Sequence, residues 1–160
     1  MSALNVKIGE GSYSVVREAI NKKSKELYAV KIVEYDPESS VSCWSDNDSS
    51  GSILEEISLL LELHHPHILS LIDVFYDDRQ KLYHLVSENM LGGELFDRII
   101  QKTQYNESDA RDATVCVLQA IQHCHERRIA HRDLKPENLL LRVSRLGNVS
   151  RCHGLRHCYL

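Results

Sequence analysis

Apolar residues alternate with polar ones at Leu4, Val6 and Ile8, a period of two that predicts a half-buried strand. Val15-Val16-Arg17-Glu18-Ala19-Ile20 reads as a second strand. Leu27–Val33 reads as a third, with Leu27, Ala29, Lys31 and Val33 on one face. The period then lengthens. Ile53, Ile57, Leu60 and Leu61 recur at helical spacing, Leu59 and Leu63 widen the apolar face, and Ser52 with Glu55 makes a capping box at the start. Ile68–Tyr76 and Lys81–Ser87 are apolar runs joined by Asp77-Asp78-Arg79-Gln80, the pattern of a hairpin. Farther on, Ala110, Ala113, Val117, Ile121 and Cys124 form one stripe of a long helix that Asn106 can cap. The pattern predicts an α+β chain in which five strands and one helix precede a long helix.

The connections between these elements carry the first chemical hints. Gly9-Glu10-Gly11-Ser12-Tyr13-Ser14 separates two strands, and its glycines let backbone N–H groups approach a phosphate chain. A dinucleotide fingerprint must open a helix, whereas β-branched Val15 and Val16 continue as strand, which disfavours a dinucleotide-dependent oxidoreductase. Lys31 lies among apolar neighbours, where a charge is costly unless paired. Glu56 lies on the helix side shared with Leu59, Leu60 and Leu63, which makes Lys31 its obvious partner. Residues 36–52 read as a serine-rich, mildly acidic solvated loop. His64, His65 and His67 flank Pro66 without acidic or thiol ligands, so a helix end and turn is expected there, not a metal site.

Composition narrows the classes. A net charge of −4 argues against a general nucleic-acid binder. No apolar run approaches the roughly 20 residues that a membrane span needs. A cytoplasmic or nuclear protein without a secretory signal is therefore expected, and five scattered cysteines suit reduced thiols. Residues 142–160 hold Arg142, Arg145, Arg151 and Arg156 and no acidic residue, a composition break that marks a divergent basic tail. The tail's Cys152-His153 and Cys158-His157 pairs suit tetrahedral zinc geometry poorly.

The densest chemistry lies in His131-Arg132-Asp133-Leu134-Lys135-Pro136-Glu137-Asn138, between the long helix and the apolar Leu139-Leu140-Leu141. A carboxylate can accept a hydroxyl proton, an ammonium can neutralise a phosphoryl oxygen, and a carboxamide oxygen can ligate Mg²⁺. These eight residues match the catalytic loop of protein kinases, and Lys135 two residues after Asp133 is its serine/threonine form. Ala29-Val30-Lys31, the glycine-rich loop with Ser14 at its third glycine, and Gly92-Gly93-Glu94-Leu95-Phe96-Asp97 extend the likeness. The chain resembles a serine/threonine protein kinase of the calcium/calmodulin-dependent group.

That resemblance implies an α+β, protein-kinase-like fold, with a five-stranded antiparallel first lobe carrying one helix, to about Glu88, and an incomplete helical second lobe, and with ATP and Mg²⁺ as cofactors. By it, Lys31, held by Glu56, grips the phosphates, and Gly9, Glu10, Gly11, Ser12, Tyr13 and Ser14 cover them. Val16, Ala29 and Leu140 enclose the adenine, Glu88 and Met90 offer it main-chain groups, and Ser87 guards the rear of its pocket. Glu94 meets the ribose or a substrate arginine, Asp133 orients the attacking hydroxyl, Lys135 offsets charge and Asn138 binds Mg²⁺. Protein substrates with Ser or Thr are implied, with Glu137 attracting basic residues before the target. No nucleic acid or membrane partner is expected, and neither an EF-hand loop nor a calmodulin-binding helix is evident.

The resemblance covers roughly residues 4–141, so a partial kinase domain is expected over 1–141, divided into lobes 1–88 and 89–141. No Asp-Phe-Gly follows Asn138. The expectation is a domain truncated after the catalytic loop by splicing, a frameshift or a misjoined gene, with negligible turnover. The alternative is a non-catalytic ATP-binding or interaction fragment.

Overall fold

The computed structural model describes residues 2–11, 14–34, 53–101 and 106–142, apart from the side chains of 2–5, 53, 55 and 56. The serine-rich loop, the Ser52–Glu55 capping box and the tail from 143 onwards lie outside the described residues. The chain divides into two compact units, Met1–Glu62 with Ser70–Asn89 and Leu63–Leu69 with Met90–Leu160.

The first unit is a five-stranded antiparallel sheet, as the kinase resemblance implies. Its strands are β1 (Ser2–Gly11), β2 (Ser14–Ile20), β3 (Leu27–Glu34), β4 (Leu71–Asp77) and β5 (Leu82–Glu88), in the order β1-β2-β3-β5-β4. Helix α1 spans Ile53–Glu62. Its Ile57 packs with Val33 of β3 and Tyr83 and Leu85 of β5, and Leu71 and Val74 of β4 close the cluster. One face of the sheet thus meets α1. Lys31, two residues before Val33, lies on that same face.

Two sequence expectations shift here. Val6 and Ile8 are exposed, because β1 is an edge strand whose apolar side nothing among the described residues covers. The apolar stripe of α1 is narrower than its leucines imply: Leu61 is exposed, and Leu63 falls past the helix and is buried in the second unit. The β4–β5 hairpin forms as expected, although β4 starts at Leu71 and not Ile68.

The second unit contains α2 (Leu95–Gln101), α3 (Glu107–Glu126) and a 3₁₀ turn at Pro136–Asn138. Asn106 caps α3 as expected, its side-chain oxygen accepting from the Asp109 N–H at 2.7 Å. Ala113, Ala120 and Cys124 are buried along α3, and Ala113 packs with Leu95 and Leu141. A short ladder joins the segment before α2 to the end of the loop region. Gly92 N–H donates to Leu141 O (3.0 Å), Leu141 N–H to Gly93 O (2.9 Å) and Leu95 N–H to Leu139 O (2.8 Å). No helix among the described residues is long and apolar enough to cross a membrane.

The histidine cluster forms the expected turn and also meets α3. His65 Nδ1 accepts from the His67 N–H at 3.1 Å, and its ring lies 4.9 Å from that of His123. Arg127 Nη1 stands 3.2 Å from His123 Nδ1. A guanidinium can only donate, so Nδ1 accepts and the proton of neutral His123 sits on Nε2, which is buried without a hydrogen-bond partner among the described residues. Burial, then the facing His123, His67 and Arg127, holds His65 below its ordinary pKa. Burial, then Arg127, lowers His123, with Glu126 opposing. Both rings therefore bind protons less readily folded than unfolded, so stability is present at pH 7 and declines as pH falls below about 6.5. Thermal unfolding at pH 7.5 and 5.5 is expected to show a drop in Tm that His123→Gln reduces.

Candidate active site

The loop bearing Asp133 is built outward from the end of α3. The N–H groups of Arg127 and Ile129 both reach Cys124 O at 3.0 Å, and Arg128 adopts φ 61°, the left-handed conformation that ends a helix. Ile129 and His131 are then buried and anchor the segment. Arg132 follows with φ 59°, and Asp133 N–H donates to His131 O at 2.8 Å across it. That is a γ-turn of the rare positive-φ hand, which costs on the order of 1–2 kcal/mol. It turns Asp133 outward, leaving its side chain 48 % exposed.

Three expected residues converge at this carboxylate. Lys135 Nζ lies 3.0 Å from Asp133 Oδ2. The 3₁₀ turn folds Asn138 back, so that its Nδ2 donates to both Asp133 Oδ2 and Asp133 O at 2.8 Å. Asn138 is buried, which fixes the amide, whereas the Lys135 ammonium is half exposed. The Lys135 hydrogen bond and then the Asn138 amide hold the Asp133 carboxyl below the usual carboxylate range, and Asp133 raises Lys135 in return. At neutral pH the pair is ionised. Oδ2 takes both side-chain bonds, so Oδ1 is the oxygen left to meet a hydroxyl.

The fit to Mg²⁺ follows from the same bonds. Asn138 spends its amide nitrogen on Asp133, so its carbonyl oxygen is the atom a hard cation would meet. Among the described residues no group of three or more His, Cys, Asp or Glu could hold a metal. Mg²⁺ suits such a sparse site only when phosphate oxygens and water complete its shell.

The remaining site residues divide between the units. In the first, Gly9 pairs with Val16 and Gly11 with Ser14, closing the β1–β2 hairpin. Ser12 and Tyr13 lie outside the described residues, and Glu10 forms an ion pair with Lys7. A Cβ on Gly9 would meet Val16 at an ordinary 3.6 Å, so packing does not demand glycine there. Lys31 is half-buried between Val16 and Leu85 on the α1 side of the sheet, and the Glu56 carboxylate lies outside the described residues. Ala29 pairs with Ser87, and Glu88 ends β5 opposite Tyr28. In the second unit, Met90 O accepts from the Gly93 N–H at 3.3 Å. Glu94 bridges to the buried Leu140, placing two expected nucleotide residues side by side.

Sequence reasoning missed three features. Nothing in the residue pattern signals the strained backbone of Arg132 or the hydrogen bond of 2.9 Å from Asn89 Nδ2 to Glu18 Oε1. The Gly92-Gly93 pair was visible, but not its reason. A Cβ on Gly92 would collide with the Leu141 backbone, whereas Gly93 needs glycine for its φ of 71°.

Comparison with known proteins gives the same picture. The protein kinase domain family matches residues 3–149. Myosin light chain kinase A of Dictyostelium discoideum is 38% identical over 135 residues, covering 84% of this chain and 43% of that protein. Calcium/calmodulin-dependent protein kinase type IV of Mus musculus is 39% identical over 133 residues, covering 83% and 26%. A crystal structure of Rad53 in complex with AMP-PNP superposes with a TM-score of 0.76 at 26% identity, covering 96% of this chain and 38% of that one. The chain thus spans less than half the length of these relatives. It belongs to the protein kinase domain family, among serine/threonine kinases that include calcium/calmodulin-dependent members.

Proposed function

We propose that the chain is the nucleotide-binding and catalytic-loop portion of a protein kinase that transfers the γ-phosphoryl of MgATP to Ser or Thr of protein substrates. The observation that carries this reading is the Asp133 carboxylate, exposed and ionised with Lys135 and Asn138 on one oxygen. In that role Asp133 orients the substrate hydroxyl, and Lys135 offsets charge on the transferring group. The Asn138 carbonyl oxygen would hold the cation, which would supply charge neutralisation when bound. Lys31, paired with Glu56, grips the α- and β-phosphates, and Gly9, Glu10, Gly11, Ser12, Tyr13 and Ser14 cover them. Gly9 supports this, since its own fold leaves room for a side chain there. Val16, Ala29 and Leu140 hold the adenine, with main-chain groups of Glu88 and Met90. The Met90 carbonyl accepts from the Gly93 N–H, so its N–H is the main-chain group it offers the base. Glu94 and Glu137 favour basic residues before the target.

No acidic residue occurs beyond Glu137, so the second ligand position for Mg²⁺ has no carboxylate to fill it. The chain by itself therefore acts as a nucleotide-binding fragment with negligible turnover. The test is thermal unfolding with MgATP and, separately, with NAD. MgATP at about 100 times its Kd is expected to stabilise the chain by about 2.7 kcal/mol and NAD to leave it unchanged. Stabilisation by NAD alone would point to the oxidoreductase class instead.

A further inference from the structure

The chain leaves the first unit at Asn89, one residue after β5 ends. There its side chain makes a bond far from its sequence neighbours: Nδ2 donates to Glu18 Oε1 at 2.9 Å, partly buried. Glu18 belongs to β2 and stands opposite Ala29 of β3, which in turn stands opposite Ser87 of β5. The bond therefore bridges three strands, a width of about 10 Å, at the end of the sheet where the chain departs. Glu18 also lies two residues beyond Val16, on the same face of β2. A half-buried carboxylate is costly without a partner, and an amide donor to it makes a charge-assisted bond stronger than a neutral one.

We infer that Glu18 and Asn89 are positioning residues for the adenine base. The inference rests on the MgATP reading above. There, Val16 covers the base while Glu88 and Met90 offer it main-chain groups. Asn89 lies between those two, and its side chain is pinned to the strand that carries Val16. The strut fixes where the main chain of Glu88 and Asn89 stands relative to Val16, within the first unit. Neither residue is among those that the reading assigns to the phosphates. Breaking the strut lets the Glu88–Met90 main chain turn, so the base is read less well while the phosphate grip is kept.

The test is calorimetric titration of the full chain with MgATP and with magnesium tripolyphosphate, a probe with phosphates and no base. Glu18→Ala and Asn89→Ala are each expected to weaken MgATP binding about five- to tenfold, less than the full worth of a charged hydrogen bond because the strut acts on the base only through the main chain, and to leave tripolyphosphate unchanged. The double exchange Glu18→Gln with Asn89→Asp keeps one donor and one acceptor and is expected to restore MgATP affinity. Variants that bind MgATP like the unsubstituted chain would overturn the inference, as would equal losses on both probes or failure of the exchange to rescue. An unsubstituted chain that binds tripolyphosphate but not MgATP would overturn both this inference and the reading beneath it.

Discussion

Given γ-labelled MgATP and a serine peptide with preceding basic residues, the 160-residue chain is expected to transfer phosphate slower than about 10⁻³ s⁻¹, against about 1–100 s⁻¹ for typical kinases. The reason lies in where charge develops. The transferring phosphoryl group spreads its charge over three oxygens, and divalent cations with fixed cationic side chains offset most of it. Here Lys135 and the single amide oxygen of Asn138 stand ready beside Asp133. Beyond Glu137 the sequence contributes arginines and histidines and no carboxylate. Losing even one preorganised stabiliser of developing charge costs about 10²–10³ in rate, and a metal contributes more than a single hydrogen bond. The control is Asp133→Ala, which should give the same background counts. Transfer that is clearly above background and lost in Asp133→Ala would contradict the expectation.

The second large effect is structural. Gly92→Ala is expected to destabilise the chain by about 3 kcal/mol, the upper end for overpacking with ladder bonds also lost. The added Cβ would lie 2.7 Å from Leu141 C and Leu141 Cβ, and close on Leu141 O as well. Those atoms have no room to yield, because Gly92 N–H donates to Leu141 O and Leu141 N–H to Gly93 O. Relief requires opening the ladder that holds Leu141 against Leu95 and Ala113. Gly93→Ala is the internal comparison. Nothing lies within 4 Å of its would-be Cβ, so only the positive φ is felt, at about 1 kcal/mol. For a chain of this length the difference corresponds to a separation in Tm of about 4–8 °C, readable by thermal or urea unfolding. Equal losses in the two variants would contradict the steric explanation.

Much of the fold was legible because its signals are local. Short β-branched and apolar runs bounded by polar turns gave β2, β3 and the β4–β5 hairpin, and Asn106 gave the start of α3. Burial was harder to read, since it depends on neighbours distant in sequence. Val6 and Ile8 alternate like core residues yet lie exposed on an edge strand, and Leu61 points outward although its spacing resembles that of Ile57. The same division runs through the site. Asp133, Lys135 and Asn138 were legible because a loop of six residues, Asp133 to Asn138, can bring them to one point. The Glu18–Asn89 bond and the Glu94–Leu140 bridge were not, because each joins segments that only the folded chain brings together. The left-handed Arg132 was hidden for another reason: an arginine gives no sign that its backbone will be strained.

The nucleotide reading turns on Lys31, a half-buried cation at the centre of the sheet and on the side that α1 covers. Equilibrium titration with MgATP of the unsubstituted chain and of Lys31→Met, both shown folded by circular dichroism, tests it directly. The expected result is saturable one-site binding that weakens at least about tenfold in Lys31→Met, since a charged hydrogen bond to phosphate is worth about 1.5–3 kcal/mol. A folded chain that does not bind MgATP, or a Lys31→Met variant that binds it equally well, would contradict it.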